Sequence, residues 1–216
     1  MKVLARPPLP TPPPTTPPPT TPPPNNLKGK KIDIVIENAG ISMRCKFLEY
    51  SYENHEYITD VNYHGPVSHT KAILPHMINN KSGQLVVISS VAALLTPGLR
   101  TSYGASKAAV SAFYSSLRTE VRDHGISVTN VYPGYVSTNL SKNALVGGKG
   151  ETFSKTDTNI SNGLTTEAFC KECLYGIENK FNDLVIDKSF KTHLALVLKP
   201  FLPDLVHYLT YKNVKD

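Results

Sequence analysis

The chain has 216 residues and a net charge of +6, yet 12 of its 18 prolines lie in the first 24 residues, and residues 1–31 carry five basic side chains and no acidic one. The remainder is nearly neutral and long enough for one domain with a substantial core, so the basic pI does not indicate a nucleic-acid partner, and we expect none. Three cysteines are too few for a disulfide-stapled secreted scaffold.

The N-terminal stretch differs in composition from the rest of the chain. Residues 7–24 repeat proline and threonine, which favours polyproline II or disorder. We therefore expect a disordered tail and linker over residues 1–31 and a folded domain over residues 32–216. A plain linker and a ligand for a proline-binding module are the two alternatives for the tail. Leu9 stands third after Arg6, where an SH3-type ligand has the first proline of its pair.

Neither end of the chain contains a membrane-spanning pattern. We expect no signal peptide, because the first 26 residues lack an apolar run of the required length. The apolar stretch Leu194 to Leu198 is interrupted by Lys199 and Pro200, so we expect no transmembrane helix there. The segment from Leu194 to Leu209 either lies on a membrane surface or packs on the sheet.

From residue 32 onward, short apolar runs alternate with helical patterns. Four runs predict buried strands: residues 32–36, 85–88, 127–131 and 184–186. Between them, helices are predicted over residues 52–80 with a break near Gly65 and Pro66, over 102–124 with Gly125 closing the helix, and over 166–179. This alternation predicts an α/β fold with right-handed crossovers and a parallel sheet with helices on both faces.

Polar residues that suit proton transfer follow the second strand. Ser89 and Ser90 end that strand, and the carboxyl edge of a parallel sheet is where ligands bind in open α/β folds. Tyr103 and Lys107 are four residues apart near the start of a helix, so they share a face. We expect the ammonium to lower the tyrosine pKa from its ordinary value of about 10, which would suit the phenol for acid–base work.

These residues resemble the active-site core of the classical short-chain dehydrogenase/reductase family. That family places a serine 13 residues before the tyrosine of a Tyr-x-x-x-Lys motif, the spacing of Ser90 and Tyr103. Over residues 32–186 the sequence is most similar to the member-seven and seven-B branch, close to the 11β-hydroxysteroid dehydrogenase type. Other family motifs match in order: Asn38-Ala39-Gly40 after the first strand, Asn62 on the next helix, and Pro133, Gly134, Val136 and Thr138 after the third strand.

The resemblance implies a Rossmann-like fold and NAD(P)-dependent interconversion of an alcohol and a carbonyl. Tyr103 would be the general acid/base, Lys107 would lower its pKa and hold the nicotinamide ribose, and Ser90 would stabilise the substrate oxygen. Asn62 would support a water relay to Lys107. The cofactor-binding residues would be Asn38, Ala39, Gly40, Tyr103, Lys107, Pro133, Gly134, Val136 and Thr138. Glu37 stands where the family usually has a second asparagine, so we expect altered hydrogen bonds at that strand end.

The sequence also departs from the family at its N-terminal side. Family members begin with a strand, a Gly-x-x-x-Gly-x-Gly turn and two further strands, whereas only Gly29 and the proline-threonine stretch precede Ile32. We therefore expect a truncated sheet that lacks the first βαβαβ half, an unpaired apolar edge on strand 32–36, and weak cofactor binding. An incomplete gene model and a real, inactive product stay open as explanations. A separate functional alternative is an inactive interaction protein that recruits a partner through its tail.

Several other features leave the function unspecified. The spacing of Cys170 and Cys173 predicts that they lie on one face of a helix and do not form a metal site, so we expect no metal. Residues 147–150 lack the pattern of a phosphate loop and fall in the variable substrate loop of about residues 140–165. The substrate stays open among steroids, retinoids and small carbonyl compounds, and the cofactor is either NAD or NADP. A homo-oligomer also stays open. The localisation is either cytoplasmic or associated with the endoplasmic reticulum membrane.

Overall fold

A computed structural model describes residues 30–148, 151–154 and 162–215. Four parallel strands form one sheet with the spatial order β1-β2-β3-β4. The strands are β1 (Ile34–Glu37), β2 (Gly83–Ile88), β3 (Ile126–Pro133) and β4 (Asp183–Ile186). The α/β class, the parallel sheet and all four predicted strands are confirmed, with bounds that shift by one to a few residues.

Helices connect successive strands. Between β1 and β2 lie α1 (Tyr52–Thr59), a π-helical turn (Asp60–His64) and α2 (Gly65–Asn79). Between β2 and β3 lie α3 (Val91–Leu95) and α4 (Thr101–Val121), and α5 (Thr166–Glu178) precedes β4. The chain continues into α6 (Phe190–Leu198) and α7 (Pro203–Lys215). Short 3-10 turns occupy Phe47–Glu49 and Arg122–His124.

The sheet is covered by helices on both faces, as the alternation of the strand residues requires. On one face Leu85 and Val87 pack with Ile73 from α2 and with Val110 and Tyr114 from α4. On the other face three strand residues pack against α5; this second cluster contains Val86, Val131, Ile186, Cys173 and Ile177. This second cluster contains no residue of β1, so α5 covers this face at β2, β3 and β4. Ligands of open parallel sheets bind at the carboxyl ends of the strands.

Strand β1 lies at one edge of the sheet. Val35 and Glu37 point into the buried face, whereas Ile34 and Ile36 are 48% and 50% exposed. The apolar edge expected from the sequence is therefore present in the described residues. The carbonyl and N–H groups on the outer side of such a strand are open to pairing with another segment.

Two turns show how local chemistry fixes the connections. Gly125 ends the helical segment with φ +69°, and a side chain there would approach the Lys81 carbonyl oxygen to 2.5 Å, so glycine is required. The break predicted near Gly65 falls earlier, at the π-helical turn Asp60–His64. Gly65 and Pro66 begin α2 directly after this turn, and the Gly65 N–H donates to the Asp60 carbonyl.

Some sequence-based expectations concern residues outside the described ranges or the C-terminal segment. The proline-rich tail and the link it would make to a proline-binding module lie outside the described residues, as do parts of the segment 140–165. Among the described residues no helix combines the length and apolarity that crossing a membrane requires. The segment Leu194 to Leu209 does not pack on the sheet: α6 has no buried residue, and neither α6 nor α7 joins the two clusters that flank the strands.

Candidate active site

The polar motifs meet at the carboxyl edge of the sheet. Asn38 to Gly40 follow β1, Ser89 and Ser90 follow β2, and Gly134 follows β3. The strands are parallel and adjacent, with Glu37 opposite Val87 and Ile88 opposite Val131, so their ends lie side by side. The structure thus brings together segments up to about a hundred residues apart in the chain.

The two serines that end β2 have different surroundings. Ser90 caps the N-terminus of α3, and its Oγ accepts a hydrogen bond of 3.1 Å from the N–H of Ala92. Ser89 points elsewhere: its hydroxyl donates to the Lys107 carbonyl at 3.0 Å and accepts from Ser111 Oγ at 2.6 Å. Of the two, Ser90 is the one whose hydroxyl interacts with Tyr103.

Tyr103 lies in the first turn of α4 with only 4% of its surface exposed. Burial raises the pKa of its phenol above the ordinary value, and the Ser90 hydrogen bond and the charge of Arg100 only partly oppose this. The expectation that Lys107 lowers this pKa is therefore not met. The phenol is buried deeply enough for desolvation to dominate, and the nearby cation that acts on it is Arg100.

Lys107 is one helical turn further along α4 and is also buried. Its ammonium donates a 2.8 Å hydrogen bond to the Ile88 carbonyl at the end of β2. Burial lowers the pKa of Lys107 to about 8, because the charged form loses its hydration. Gly40 lies directly beside this side chain, and a Cβ on Gly40 would be 3.1 Å from Lys107 Nζ.

Asn62 connects the loop after β1 to α4. Its side-chain amide accepts from the Ile41 N–H and donates to the Ile41 carbonyl, both at 2.9 Å. The same amide donates to Ser106 Oγ at 3.0 Å, and Ser106 donates to the Tyr103 carbonyl at 2.9 Å. Asn62 is 1% exposed and sits in the π-helical turn. The π-helical turn therefore carries the Asn62 amide, which bonds both Ile41 and Ser106. Such turns are frequent at functional sites.

The segment after β3 runs along the same edge. The Gly134 N–H donates to the Ile186 carbonyl at 2.9 Å, and a Cβ on Gly134 would come within 2.3 Å of the Asp187 carboxylate. Val136 is half-buried and pairs with Leu164, whereas Thr138 is exposed and accepts a 3.4 Å hydrogen bond from the Leu140 N–H. The backbone of this segment is thus fixed at Gly134 and Val136 and more open at Thr138.

The residues present fit the nicotinamide ribose of a dinucleotide cofactor at this edge. An ammonium has three N–H groups, and within the described ranges Lys107 Nζ donates to one acceptor, the Ile88 carbonyl. Two donors on a buried cation call for acceptors such as ribose hydroxyls. Gly40 leaves room next to that ammonium, and Asn38 and Ala39 are exposed beside it.

Three residues at the site were not predicted from the sequence. Ser106 links Asn62 to α4, Ser111 bonds both Ser89 and the Lys107 carbonyl, and Arg100 acts electrostatically on Tyr103. Ser106 and Arg100 each stand three residues from Tyr103, so helical spacing was a usable signal for both. The contact between Ser111 and Ser89 joins a helix to a strand end and has no such local signal.

The remaining sequence candidates have the following surroundings. Glu37, the last residue of β1, makes a 2.6 Å contact between its Oε1 and His69 Nδ1, which joins β1 to α2. Cys173 is buried in the cluster under α5, whereas Cys170 is exposed, so only one of the two belongs to the core. Within the described ranges no three histidine, cysteine or acidic side chains group as metal ligands would.

A parallel sheet with helices on both faces and a Ser, a Tyr and a Lys at its carboxyl edge defines a Rossmann-like α/β scaffold. The family model described as short chain dehydrogenase matches residues 26–146. The chain therefore belongs to the short-chain dehydrogenase family, and the relatives it resembles place it in the member 7 and 7B branch.

Curated relatives agree with this assignment. The chain is 41% identical over 175 residues to dehydrogenase/reductase SDR family member 7B of Xenopus laevis, covering 81% of this chain and 54% of that protein. It is 32% identical to human member 7 over 186 residues, covering 86% of this chain and 54% of that protein. The chain thus spans about half the length of these relatives.

Among solved structures, a short-chain dehydrogenase from Streptomyces avermitilis matches with a TM-score of 0.62 at 24% identity, over 86% of this chain and 72% of that one. A short-chain dehydrogenase from Sphingobium yanoikuyae, solved in complex with NADPH, matches with a TM-score of 0.61 at 23% identity, over 71% of this chain and 57% of that one. At these identities the likeness establishes the fold.

Proposed function

We propose that this chain is an NAD(P)-dependent oxidoreductase that interconverts an alcohol and a carbonyl, with Ser90, Tyr103, Lys107 and Asn62 at its active site. The observation that carries the proposal is the placement of Tyr103 beside Ser90, with Lys107 one turn away against Gly40. Membership of the short-chain dehydrogenase family and the NADPH complex of one structural relative support it.

The protein's own part in the reaction is proton transfer and orientation. In carbonyl reduction, Tyr103 would donate its phenolic proton to the carbonyl oxygen, while the Ser90 hydroxyl donates a hydrogen bond to the same oxygen. Burial raises the Tyr103 pKa above its ordinary value, so the phenol carries its proton at neutral pH and is available as the acid in this step. The nicotinamide, when bound, supplies or accepts the hydride.

The remaining residues would hold the cofactor and the surrounding backbone. Lys107 would donate to the ribose hydroxyls. Asn38, Ala39, Gly40, Pro133, Gly134, Val136 and Thr138 would contact the cofactor. Asn62 would support a water relay to Lys107 by fixing the Ile41 backbone beside it. We propose an apolar substrate of the steroid, retinoid or small-carbonyl type.

The matched pair of serines tests this assignment. NADPH oxidation is followed with a panel of steroid, retinoid and small carbonyl compounds, for the wild type, Ser90→Ala and Ser89→Ala. Loss of the hydrogen bond to the substrate oxygen should reduce kcat/KM of Ser90→Ala by about a hundredfold or more. Ser89→Ala should lose much less, because its hydroxyl bonds Lys107 and Ser111 instead. Equal losses in the two variants would contradict the role of Ser90.

A further inference from the structure

The C-terminal helix α6 exposes an apolar stripe. Phe190, Leu194 and Val197 are spaced i, i+4 and i+7, so they lie on one face of the helix, and they are 77%, 44% and 64% exposed. No residue of α6 is buried. Phe201, in the link to α7, is 79% exposed and falls eleven residues after Phe190, which extends the same stripe.

Helix α7 continues this pattern. Leu205, Tyr208 and Leu209 lie on one of its faces and are about half exposed, while Val206 points inward and is buried. Lys212 follows on the exposed face, and its ammonium lies 4.9 Å from the centre of the Tyr208 ring. We call α6, the link and α7 together the C-terminal helix pair. Apolar patches of this extent usually mark an interaction site.

The charge of this segment is distinct from that of the rest of the domain. Between residues 188 and 215 there are five lysines and one aspartate, whereas residues 32–187 carry 13 basic and 15 acidic side chains. Lys188, Lys191 and Lys212 are exposed. The basic excess of the folded part is therefore concentrated where the apolar surface is exposed.

We propose that the C-terminal helix pair binds an anionic lipid surface, lying flat in the interface. Exposed phenylalanine, leucine and tyrosine side chains next to lysines are typical of interfacial helices, in which apolar groups enter the acyl boundary and ammonium groups remain at the headgroups. The same charge disfavours a second copy as the occupant, because a two-fold contact would bring the lysines of the two copies together.

The helix pair is attached to the candidate active site. Helix α6 packs against α3, and the Lys199 ammonium donates to the Leu94 carbonyl in α3. Helix α3 begins directly after Ser90. Lipid binding would therefore place the carboxyl edge of the sheet near the membrane surface. The inference itself does not depend on the proposed reaction, because lipid binding is measured without turnover.

The test is co-sedimentation of the full chain with vesicles of phosphatidylcholine alone or of equal parts phosphatidylcholine and phosphatidylserine. We expect binding to the anionic vesicles and much weaker binding to the neutral ones. Phe190→Gln combined with Val197→Gln should weaken binding about tenfold or more. The control combines Phe47→Gln with Leu48→Gln, which removes two exposed apolar side chains elsewhere, and should leave binding unchanged.

The lysines are tested in the same assay. Lys191→Gln combined with Lys212→Gln should weaken binding to anionic vesicles by about fivefold per lysine. The control Lys2→Gln combined with Lys28→Gln removes equal charge from the N-terminal stretch and should have little effect. Binding that is absent, independent of anionic lipid, or lost only in the N-terminal control would overturn the proposal. A different result would also overturn it. In that result, light scattering shows a dimer that dissociates when Phe190 and Val197 are replaced, and the chain does not bind vesicles.

Discussion

The side chain of Asn62 holds Ile41 by both of its backbone groups, with 2.9 Å hydrogen bonds to the N–H and to the carbonyl. Asn62 lies in the π-helical turn between α1 and α2, and Ile41 lies in the loop after β1. This pairing sets the position of Gly40 next to the Lys107 ammonium.

Replacement of Asn62 should test this pairing. Asn62→Ala leaves two backbone groups of Ile41 and the Ser106 hydroxyl without their partner, so we expect the free energy of unfolding to fall by roughly 2–3 kcal/mol. Urea denaturation measures the change. Asn179→Ala, which removes an exposed hydrogen bond inside one helix, should cost less than about 1 kcal/mol. A similar small cost for Asn62→Ala would show that the pairing contributes little.

The buried ammonium predicts a distinct dependence of stability on pH. The Lys107 pKa falls from 10.5 to about 8 on folding, so between these values the unfolded chain holds a proton that the folded chain has released. Stability should therefore rise with pH in this window, by up to about 3 kcal/mol. Above pH 10 the raised Tyr103 pKa acts in the opposite direction, because the folded chain then holds the extra proton.

The variant Lys107→Met removes this contribution. Urea denaturation at a series of pH values from 7 to below 10 should show a flatter stability curve for Lys107→Met than for the wild type. Lys71→Met, at an exposed position in α2, serves as the control and should follow the wild type. Parallel curves for the wild type and Lys107→Met would mean that Lys107 is charged and hydrated in the folded chain.

The close approach of Gly134 to Asp187 predicts a destabilising substitution whose effect a second substitution should partly reverse. Gly134→Ala places a Cβ 2.3 Å from the Asp187 carboxylate, and we expect a loss of about 1–3 kcal/mol in the free energy of unfolding. Asp187→Ala alone loses a 2.9 Å hydrogen bond from the Ser189 N–H. In thermal or urea unfolding, the double variant should be more stable than the sum of the single losses predicts. Strict additivity would show that the two residues do not interfere.

The elements of the sheet were largely readable from the sequence, because buried strands and glycine-ended helices are local signals. The strand Leu85 to Ile88 and the stop at Gly125 are examples. The proximity of Tyr103 and Lys107 also followed from helical spacing.

The features that could not be predicted from the sequence depend on side-chain burial and on contacts between distant segments of the chain. The pKa of Tyr103 is set by burial under segments far away in the chain, which outweighs the effect of nearby charge. The π-helical turn falls at Asp60–His64, where the amide of Asn62 reaches Ile41 across 21 residues. The contact of Glu37 with His69 likewise joins a strand to a distant helix.

The most direct test compares two buried tyrosines of α4, Tyr103 and Tyr114. Tyr114 Oη hydrogen-bonds Thr70 and the Pro66 carbonyl, away from Ser90 and Lys107. The measurement is the rate of NADPH-dependent carbonyl reduction by the purified wild type, Tyr103→Phe and Tyr114→Phe, each confirmed as folded by circular dichroism. We predict that Tyr103→Phe lowers kcat by about a hundredfold or more, while Tyr114→Phe retains most of it. Activity that survives in Tyr103→Phe would contradict the assignment of this residue as the general acid.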